Sequence, residues 1–150
     1  AFGRGERLRV ADRDLVLLLA KNPTGVNENI RTVLLDPEPL HLLIALNDRT
    51  ADGRDVSWIW DVDYEPMLGR AEALTLTGDR AHDMALRMRY AGVPDADMRV
   101  IPDAAAALDA ALASTPAGAT LYVLPTYTAM LGLRATLVDR GVAEDFWRER

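Results

Sequence analysis

Short apolar runs alternate with amphipathic segments along most of the chain. Helices are predicted at residues 26–35, 80–91, 104–114 and 127–140. Alternation of strands and helices is typical of parallel βαβ units. The pattern therefore predicts an α/β fold of the Rossmann-like, doubly wound type, with a mostly parallel six-stranded sheet and helices on both faces. The predicted strands are six short runs, some of them apolar without alternation as in strands covered on both faces: residues 8–10, 14–20, 41–46, 73–77, 98–101 and 121–124.

Turn and cap signals separate these elements. Residues 11–13 predict a hairpin between the first two strands. The helix boundaries rest on prolines that end a helix, a glycine at a helix C-terminus and two polar residues at helix N-termini: Pro37, Pro39, Gly92, Asp103 and Thr126.

Three regions are predicted along the chain. Residues 1–6 have no helix or strand period and are predicted to be a linker arriving from another domain. Residues 7–143 are predicted to form one domain, which is long enough to bury a core without disulfides. Residues 144–150 are highly charged and are predicted to be a tail with a frayed helical turn.

Composition excludes several classes of function. The 150 residues include no cysteine, which excludes a disulfide framework, a thiolate zinc site and a cysteine nucleophile from this chain. The net charge of −6 and the absence of a basic cluster argue against nucleic acid as a partner. Neither a membrane-spanning run nor a signal-peptide pattern is present, so a cytoplasmic location is predicted.

The predicted topology brings the polar segments together. In open α/β sheets, ligands bind at the carboxyl ends of the strands. Four segments follow predicted strands and should meet at that edge: residues 21–25, 47–58, 78–79 and 125–128.

The Asp-rich loop, residues 47–58, is the most unusual of these segments. It contains Asp48, Asp52 and Asp55, and Asp61 and Asp63 follow it. A calcium loop of the EF-hand type is excluded, because the register set by the loop's glycine leaves the position of the bidentate acid without a carboxylate. Two interpretations remain: a carboxylate that orients a catalytic histidine, and turn chemistry in which Asp and Asn bond their own backbone. Spacing alone favours the turn.

Residues 21–25 form a predicted loop between a strand and a helix. Free N–H groups at the helix start and the charge of Lys21 suggest an anion or nucleotide contact through Lys21, Asn22, Thr24 and Gly25. A simple strand exit explains the same residues. The segment matches neither GxxxxGK[ST] nor GxGxxG, so the chain is not expected to hydrolyse ATP alone.

Other polar residues give weaker signals. Ser57 has no nucleophile-elbow context. His41 is predicted to begin a strand and His82 to lie on a helix surface, so a self-contained Ser–His–Asp site is not expected. Tyr127 and Thr128, at the start of the last helix, could face a ligand.

Residues 18–25, 45–61 and 124–130 resemble the C-terminal domain of the MurT family, the Mur-ligase-like subunits of lipid II isoglutaminyl synthase. Residues 2–6 resemble the junction with the family's central ATPase domain. The Asn-Asp…Asp-Gly-Arg-Asp-x-Ser-Trp pattern is specific. The Asn-Pro-x-Gly pattern is looser and resembles the His-Asn-Pro turn of other Mur ligases and folylpolyglutamate synthases, with Lys21 in place of histidine.

The resemblance implies a reaction and partners. The complete enzyme would amidate the D-glutamate α-carboxylate of lipid II to D-isoglutamine at the inner face of the membrane, using ATP and Mg²⁺. A GatD-type glutaminase would supply ammonia through a Cys–His pair, and Asp55 would provide the third member of that triad. Zinc and the phosphate loop belong to the family's central domain, so this domain is expected to hold no cofactor or metal and to be inactive alone. Asp52 and Asp61 are further candidates for the role of Asp55, and Asn47 and Asp48 are possible supporting residues.

Two other functions remain open from the sequence. One is a non-catalytic interaction domain that holds the glutaminase and organises the interface, with Asp55 only shaping a turn; the subunit's own N-terminal and central domains are further partners that the resemblance implies. The other is a free-standing nucleotide-binding module.

Overall fold

The computed structural model describes residues 4–142. Six strands form one sheet in the order β1-β2-β6-β3-β4-β5. The β1–β2 pair is antiparallel and the remaining pairs are parallel, as predicted. The strands are β1 Arg4–Val10, β2 Arg13–Leu18, β3 Leu40–Ala45, β4 Ala71–Thr77, β5 Arg99–Val100 and β6 Thr120–Pro125.

Helices connect the parallel strands. Three short 3₁₀ helices, Thr50–Asp52, Ser57–Asp61 and Asp95–Asp97, lie in the connections. None of the three was predicted, nor was a further short helix over Glu65–Leu68. The α-helices are α1 Pro23–Val33, α2 Glu65–Leu68, α3 Ala81–Tyr90, α4 Ala104–Ala113 and α5 Tyr127–Asp139.

The core lies on both faces of the sheet. In β3, Leu42 and Ile44 pack on one face with α1 and α3, whereas Leu43 and Ala45 pack on the other face with α4 and α5. Successive side chains of a strand point to opposite faces, so a strand covered on both sides has no polar alternation. The predicted doubly wound arrangement, with helices on both faces, is confirmed.

The amino-terminal prediction needs a correction. Residues 4–6 were assigned to a linker, but they belong to β1, where Glu6 pairs with Leu17. The pairing register of β1 shifts between Arg4 and Glu6, so the regular alternation of side chains is interrupted there. The local sequence therefore does not show that β1 begins at Arg4. The rest of the predicted linker and the predicted tail lie outside the described residues.

Helix α1 begins three residues earlier than predicted. Asn22 is its N-cap, with Oδ1 accepting from the Gly25 N–H at 2.8 Å, and Pro23 occupies the first turn, where its missing N–H costs nothing. Thr24 and Gly25 therefore lie in the helix and not in a loop. The predicted cap of α4 by Asp103 is confirmed, since its Oδ2 accepts from the Ala106 N–H at 2.9 Å.

Candidate functional site

Asn47 connects three strand ends at the carboxyl edge of the sheet. It is buried directly after β3, and its N–H donates to Thr126 Oγ1 at 2.9 Å. Its side-chain amide donates to Thr128 Oγ1 at 3.0 Å, and its Oδ1 accepts from the Asp79 N–H at 2.8 Å. These contacts bring together the segments that follow β3, β4 and β6, as predicted for this edge. A cavity of about 310 Å³ opens beside Asn47.

Asp52 caps helix α5, although it lies 76 residues before Thr128 in the chain. Its Oδ1 accepts from the Thr128 N–H at 2.7 Å, and its Oδ2 accepts from the Thr128 hydroxyl at 2.5 Å and the Arg49 N–H at 3.1 Å. Thr126 occupies the N-cap position, but its side chain makes no cap bond because it bonds Asn47 instead. The predicted position of Thr126 at the N-cap is confirmed, but its side chain does not cap the helix, and the Asp52 carboxylate does so instead.

Two arginines tie the Asp-rich loop to the start of α3. Arg49 bonds Asp79 at 2.8 and 3.2 Å, and this bond holds the pKa of Asp79 below its usual range. Arg80 bonds Asp48 at 2.8 Å and Asp83 at 2.6 Å. The Asp48 carboxylate therefore bonds a residue outside the loop. Both clamps restrict the loop relative to the sheet.

Gly78 makes the close approach at this edge possible. Its φ of +104° lies in the left-handed region, and a Cβ there would overlap the Leu46 carbonyl oxygen and lie 2.9 Å from Asn47 Oδ1. Only glycine has no Cβ to clash. The residue therefore lets the β4 end reach Asn47.

Asp55 presents an exposed carboxylate on the outer part of the Asp-rich loop. Its Oδ1 accepts from the Ser57 N–H at 2.8 Å, and this bond, assisted by the Ser57 side chain, holds its pKa below the usual value. The carboxylate is therefore ionised at neutral pH. It lines a cavity of about 280 Å³ whose wall includes Trp60, Arg80 and Asp83.

Arg87 was not predicted as a site residue, but it holds the backbone that directly follows the Asp-rich loop. It is buried on α3 and donates to the carbonyl oxygens of Ile59 at 3.1 Å and Val62 at 2.7 Å. Its guanidinium also lies 5.6 Å from the ring centroid of Trp60. A signal existed: Arg87 lies on the same helical face as two methionines, where a core residue is expected.

The Lys21 segment lies apart from the Asp-rich loop. It follows β2, which β6 separates from β3. Lys21 and Asn22 are exposed. The N–H groups of Gly25 and Val26 bond Asn22, and proline at position 23 has none to offer. The start of α1 therefore has fewer free N–H groups for an anion than predicted. Lys21 is the main contribution of this segment to an anion contact.

The remaining candidates are distributed over the surface and core. Asp61 is exposed in the second 3₁₀ helix, and its carboxylate makes no hydrogen bond within residues 4–142. His41 is buried at the opposite edge of the sheet, and His82 is exposed on α3, as predicted. Tyr127 is partly exposed at the start of α5. Across the described part of the chain, no cluster of three His, Asp or Glu side chains is placed to hold a metal.

The site has the form of an anchored loop that displays one carboxylate. Neither histidine lines the Asp55 cavity, and the chain has no cysteine. An ionised carboxylate of this kind can accept a hydrogen bond from a cationic or N–H group of another molecule and hold it in one orientation. None of the helices within residues 4–142 is long and apolar enough to cross a membrane.

The sheet order and the hairpin edge define the C-terminal domain fold of the Mur ligases and folylpolyglutamate synthases. MurF from Acinetobacter baumannii superposes with a TM-score of 0.63 at 17% identity, covering 93% of this chain and 31% of that one. Folylpolyglutamate synthase from Mycobacterium tuberculosis, solved with ADP, superposes with a TM-score of 0.60 at 22% identity, covering 95% and 33%. At these identities the likeness shows the fold alone.

Sequence similarity places the chain in a narrower group of proteins than the fold does. Residues 19–130 match the MurT ligase C-terminal family, and the chain belongs to it. The lipid II isoglutaminyl synthase (glutamine-hydrolyzing) subunit MurT of Streptococcus pneumoniae is 34% identical over 142 residues, 94% of this chain and 31% of that protein. The protein of the same name from Staphylococcus aureus is 39% identical over 93 residues, 61% and 21%. The chain thus spans about a third or less of these relatives.

Proposed function

We propose that this chain is the C-terminal domain of a lipid II isoglutaminyl synthase subunit, and that it positions the catalytic histidine of a glutaminase subunit through Asp55. The single observation that carries the proposal is the exposed, ionised Asp55 carboxylate on an anchored loop. Membership of the MurT family, whose curated relatives are named as subunits of a glutamine-hydrolysing enzyme, supports it.

The anchors of the loop make the carboxylate suitable for this role. Asp52 fixes the loop to α5 on one side of Asp55, and Arg87 fixes the backbone at Ile59 and Val62 on the other. An orienting group must be held within a fraction of an ångström of its productive position. The Ser57 N–H completes the support by binding the carboxylate itself.

The chemistry requires a partner protein. In a GatD-type glutaminase, a cysteine would attack the glutamine amide while a histidine moves the proton to the departing ammonia. An ionised Asp55 would accept a hydrogen bond from the imidazole N–H, fix its tautomer and stabilise the imidazolium that forms. The released ammonia would then amidate the D-glutamate α-carboxylate of lipid II at the cytoplasmic face of the membrane.

The complete subunit would also contain the ATP chemistry. ATP and Mg²⁺ would activate the carboxylate, and the phosphate loop and zinc site would belong to the central domain. Lys21 is the residue of this domain that we assign to a phosphate contact, because its cationic side chain is exposed shortly after the carboxyl end of β2. Lys21→Glu is expected to raise the KM for ATP in the full subunit, and an unchanged KM would contradict this assignment.

The test of Asp55 is glutaminase kinetics in the reconstituted complex. Asp55→Asn is expected to lower kcat at least about 10²-fold, because an orienting acid of a triad is worth that much or more. The KM for glutamine and the affinity of the two subunits should stay the same, since Asn keeps the side-chain shape. Asp61→Asn, at the other exposed candidate, should keep wild-type kcat, and a loss of kcat there instead would assign the role to Asp61. Wild-type turnover by Asp55→Asn would remove the proposed role.

One observation favours a second function, a non-catalytic interaction domain. The Asp55–Ser57 hydrogen bond is also that of an ordinary turn, in which an Asp side chain bonds the backbone two residues on. This function predicts that Asp55→Asn weakens the complex or the fold without a selective loss of kcat. The kinetic split between kcat and subunit affinity therefore separates the two functions.

A further inference from the structure

An exposed apolar patch lies beside the Asp55 cavity. It consists of Trp60, Leu86 and Tyr90, whose relative exposures are 45%, 45% and 74%. Leu86 and Tyr90 are four residues apart on α3, so they share one face of the helix. We name these three residues the aromatic patch. Large apolar side chains grouped at the surface mark interaction sites more often than isolated ones do.

Trp60 is held rigidly within this patch. Its ring meets that of Tyr90 edge to face, with centroids 5.4 Å apart and an angle of 80°. The Arg87 guanidinium lies 5.6 Å from the ring centroid and is itself fixed by the Ile59 and Val62 carbonyl groups. A preorganised aromatic side chain loses little conformational entropy when a partner binds, so it makes an efficient anchor.

The position of Trp60 indicates what covers the patch. Trp60 lines the same cavity as Asp55, and so does Asp83, which lies on α3 one turn before Leu86. A protein that brings a histidine to the Asp55 carboxylate must therefore also cover Trp60 and the adjacent face of α3. Interfaces draw most of their affinity from a few central aromatic residues.

We infer that the aromatic patch is the anchor on which the glutaminase subunit docks, an inference that rests on the proposed function. The partner would present an apolar pocket for Trp60 and Tyr90 next to its catalytic histidine. Docking and histidine orientation would then be separate tasks of one surface: the patch supplies affinity, and Asp55 supplies turnover.

Within residues 4–142, no other segment covers the patch. The described chain ends at Val142, which packs on the opposite face of the sheet, against the core shared with α4 and α5. The one apolar side chain of comparable exposure on the α1 side, Leu35, follows α1 and so lies at the opposite edge, far from the Asp-rich loop. Leu35 therefore provides a control of the same residue type.

The test measures subunit affinity and glutaminase turnover in the full-length subunit that carries this domain. Leu86→Asp and Tyr90→Ala are expected to raise the Kd for the glutaminase at least about 10-fold, as loss of an interface anchor does. Leu35→Asp should leave the Kd within about 2-fold. At saturating subunit, kcat of both patch variants should equal that of the wild type, because Asp55 is intact. Both patch positions are solvent-exposed, so both variants are expected to fold, and circular dichroism checks this.

Each outcome decides the inference. A wild-type Kd for Leu86→Asp and Tyr90→Ala, combined with the loss of kcat in Asp55→Asn, would overturn the patch as anchor and leave the proposed function standing. An unchanged Kd with reduced ligation would mean that the subunit's own domains cover the patch, which also overturns the inference. Failure of the wild-type subunit to bind any glutaminase would remove both.

Discussion

Removing the Asp52 carboxylate should release the Asp-rich loop from helix α5. In the folded domain this side chain accepts hydrogen bonds from the Thr128 N–H, the Thr128 hydroxyl and the Arg49 N–H. Asp52→Ala removes all three acceptor contacts and leaves the first turn of α5 without a side-chain cap, because Thr126 is already bonded to Asn47. The substitution therefore tests whether a loop residue holds a helix that lies far away in sequence.

The expected loss follows from the contacts. Losing an N-cap costs about 1 kcal/mol, and hydrogen bonds to a charged group contribute about 1.5–3 kcal/mol where they are buried. Asp52 is only partly buried, so we expect a loss of about 2 kcal/mol in the free energy of unfolding. In a domain of this size, that corresponds to a decrease in Tm of about 4–8 °C. Asp52→Asn should cost less, because Asn is also a good N-cap.

Urea unfolding of the domain, followed by circular dichroism, measures this loss directly. Asp61→Ala is the control, because it removes an exposed carboxylate from the same region and should change stability by less than about 0.5 kcal/mol. A double-mutant cycle with Thr128→Val should show a coupling of about 1 kcal/mol. If Asp52→Ala matches the Asp61→Ala control, the capping argument is refuted.

Two further predictions concern the same edge of the sheet. Gly78→Ala should destabilise the domain by about 3 kcal/mol or more, because its Cβ would overlap the Leu46 carbonyl in a left-handed backbone. Gly53→Ala is the control: Gly53 has a φ of +89° but open space around it, so the substitution should cost only about 1–2 kcal/mol in the same urea assay. Arg49 lowers the pKa of Asp79 from its ordinary value of 3.8, so the ionised form stabilises the fold above about pH 4, and this stability is lost as the pH falls below it. Stability measured from pH 7 to pH 3 should therefore fall less steeply in Asp79→Asn than in the wild type, and parallel curves would contradict the pairing.

The sheet was predictable because its signal is local. The apolar runs around Leu15–Leu18 and in β3 identify strands covered on both faces, and the observed core confirms this. The start of α1 could also have been predicted from the sequence, since Asn22 followed by proline is a helix-start pattern. It was missed because the glycine at position 25 suggested a loop. Strand β1 was only partly predicted, because its first residues are ordered by pairing with β2.

The contacts that shape the site were not predictable from local sequence. Asp52 and Thr128 are 76 residues apart, and Arg87 reaches carbonyl groups 25 and 28 residues away. Such contacts depend on the topology that brings the ends of β3, β4 and β6 together. Family resemblance pointed to Asp55 as a candidate. The structure distinguishes its exposed carboxylate from those of Asp48 and Asp52, which bond distant parts of the domain.

The most direct test of the central claim is the distance between the Asp55 carboxylate and the glutaminase histidine in a structure of the assembled full-length complex. The proposed role of Asp55 predicts a carboxylate oxygen about 2.6–3.2 Å from an imidazole nitrogen, which is hydrogen-bond range. It also predicts that the Asp52–Thr128 bond persists in the complex. An Asp55 carboxylate well outside hydrogen-bond distance, with another acid or none beside the histidine, would contradict it.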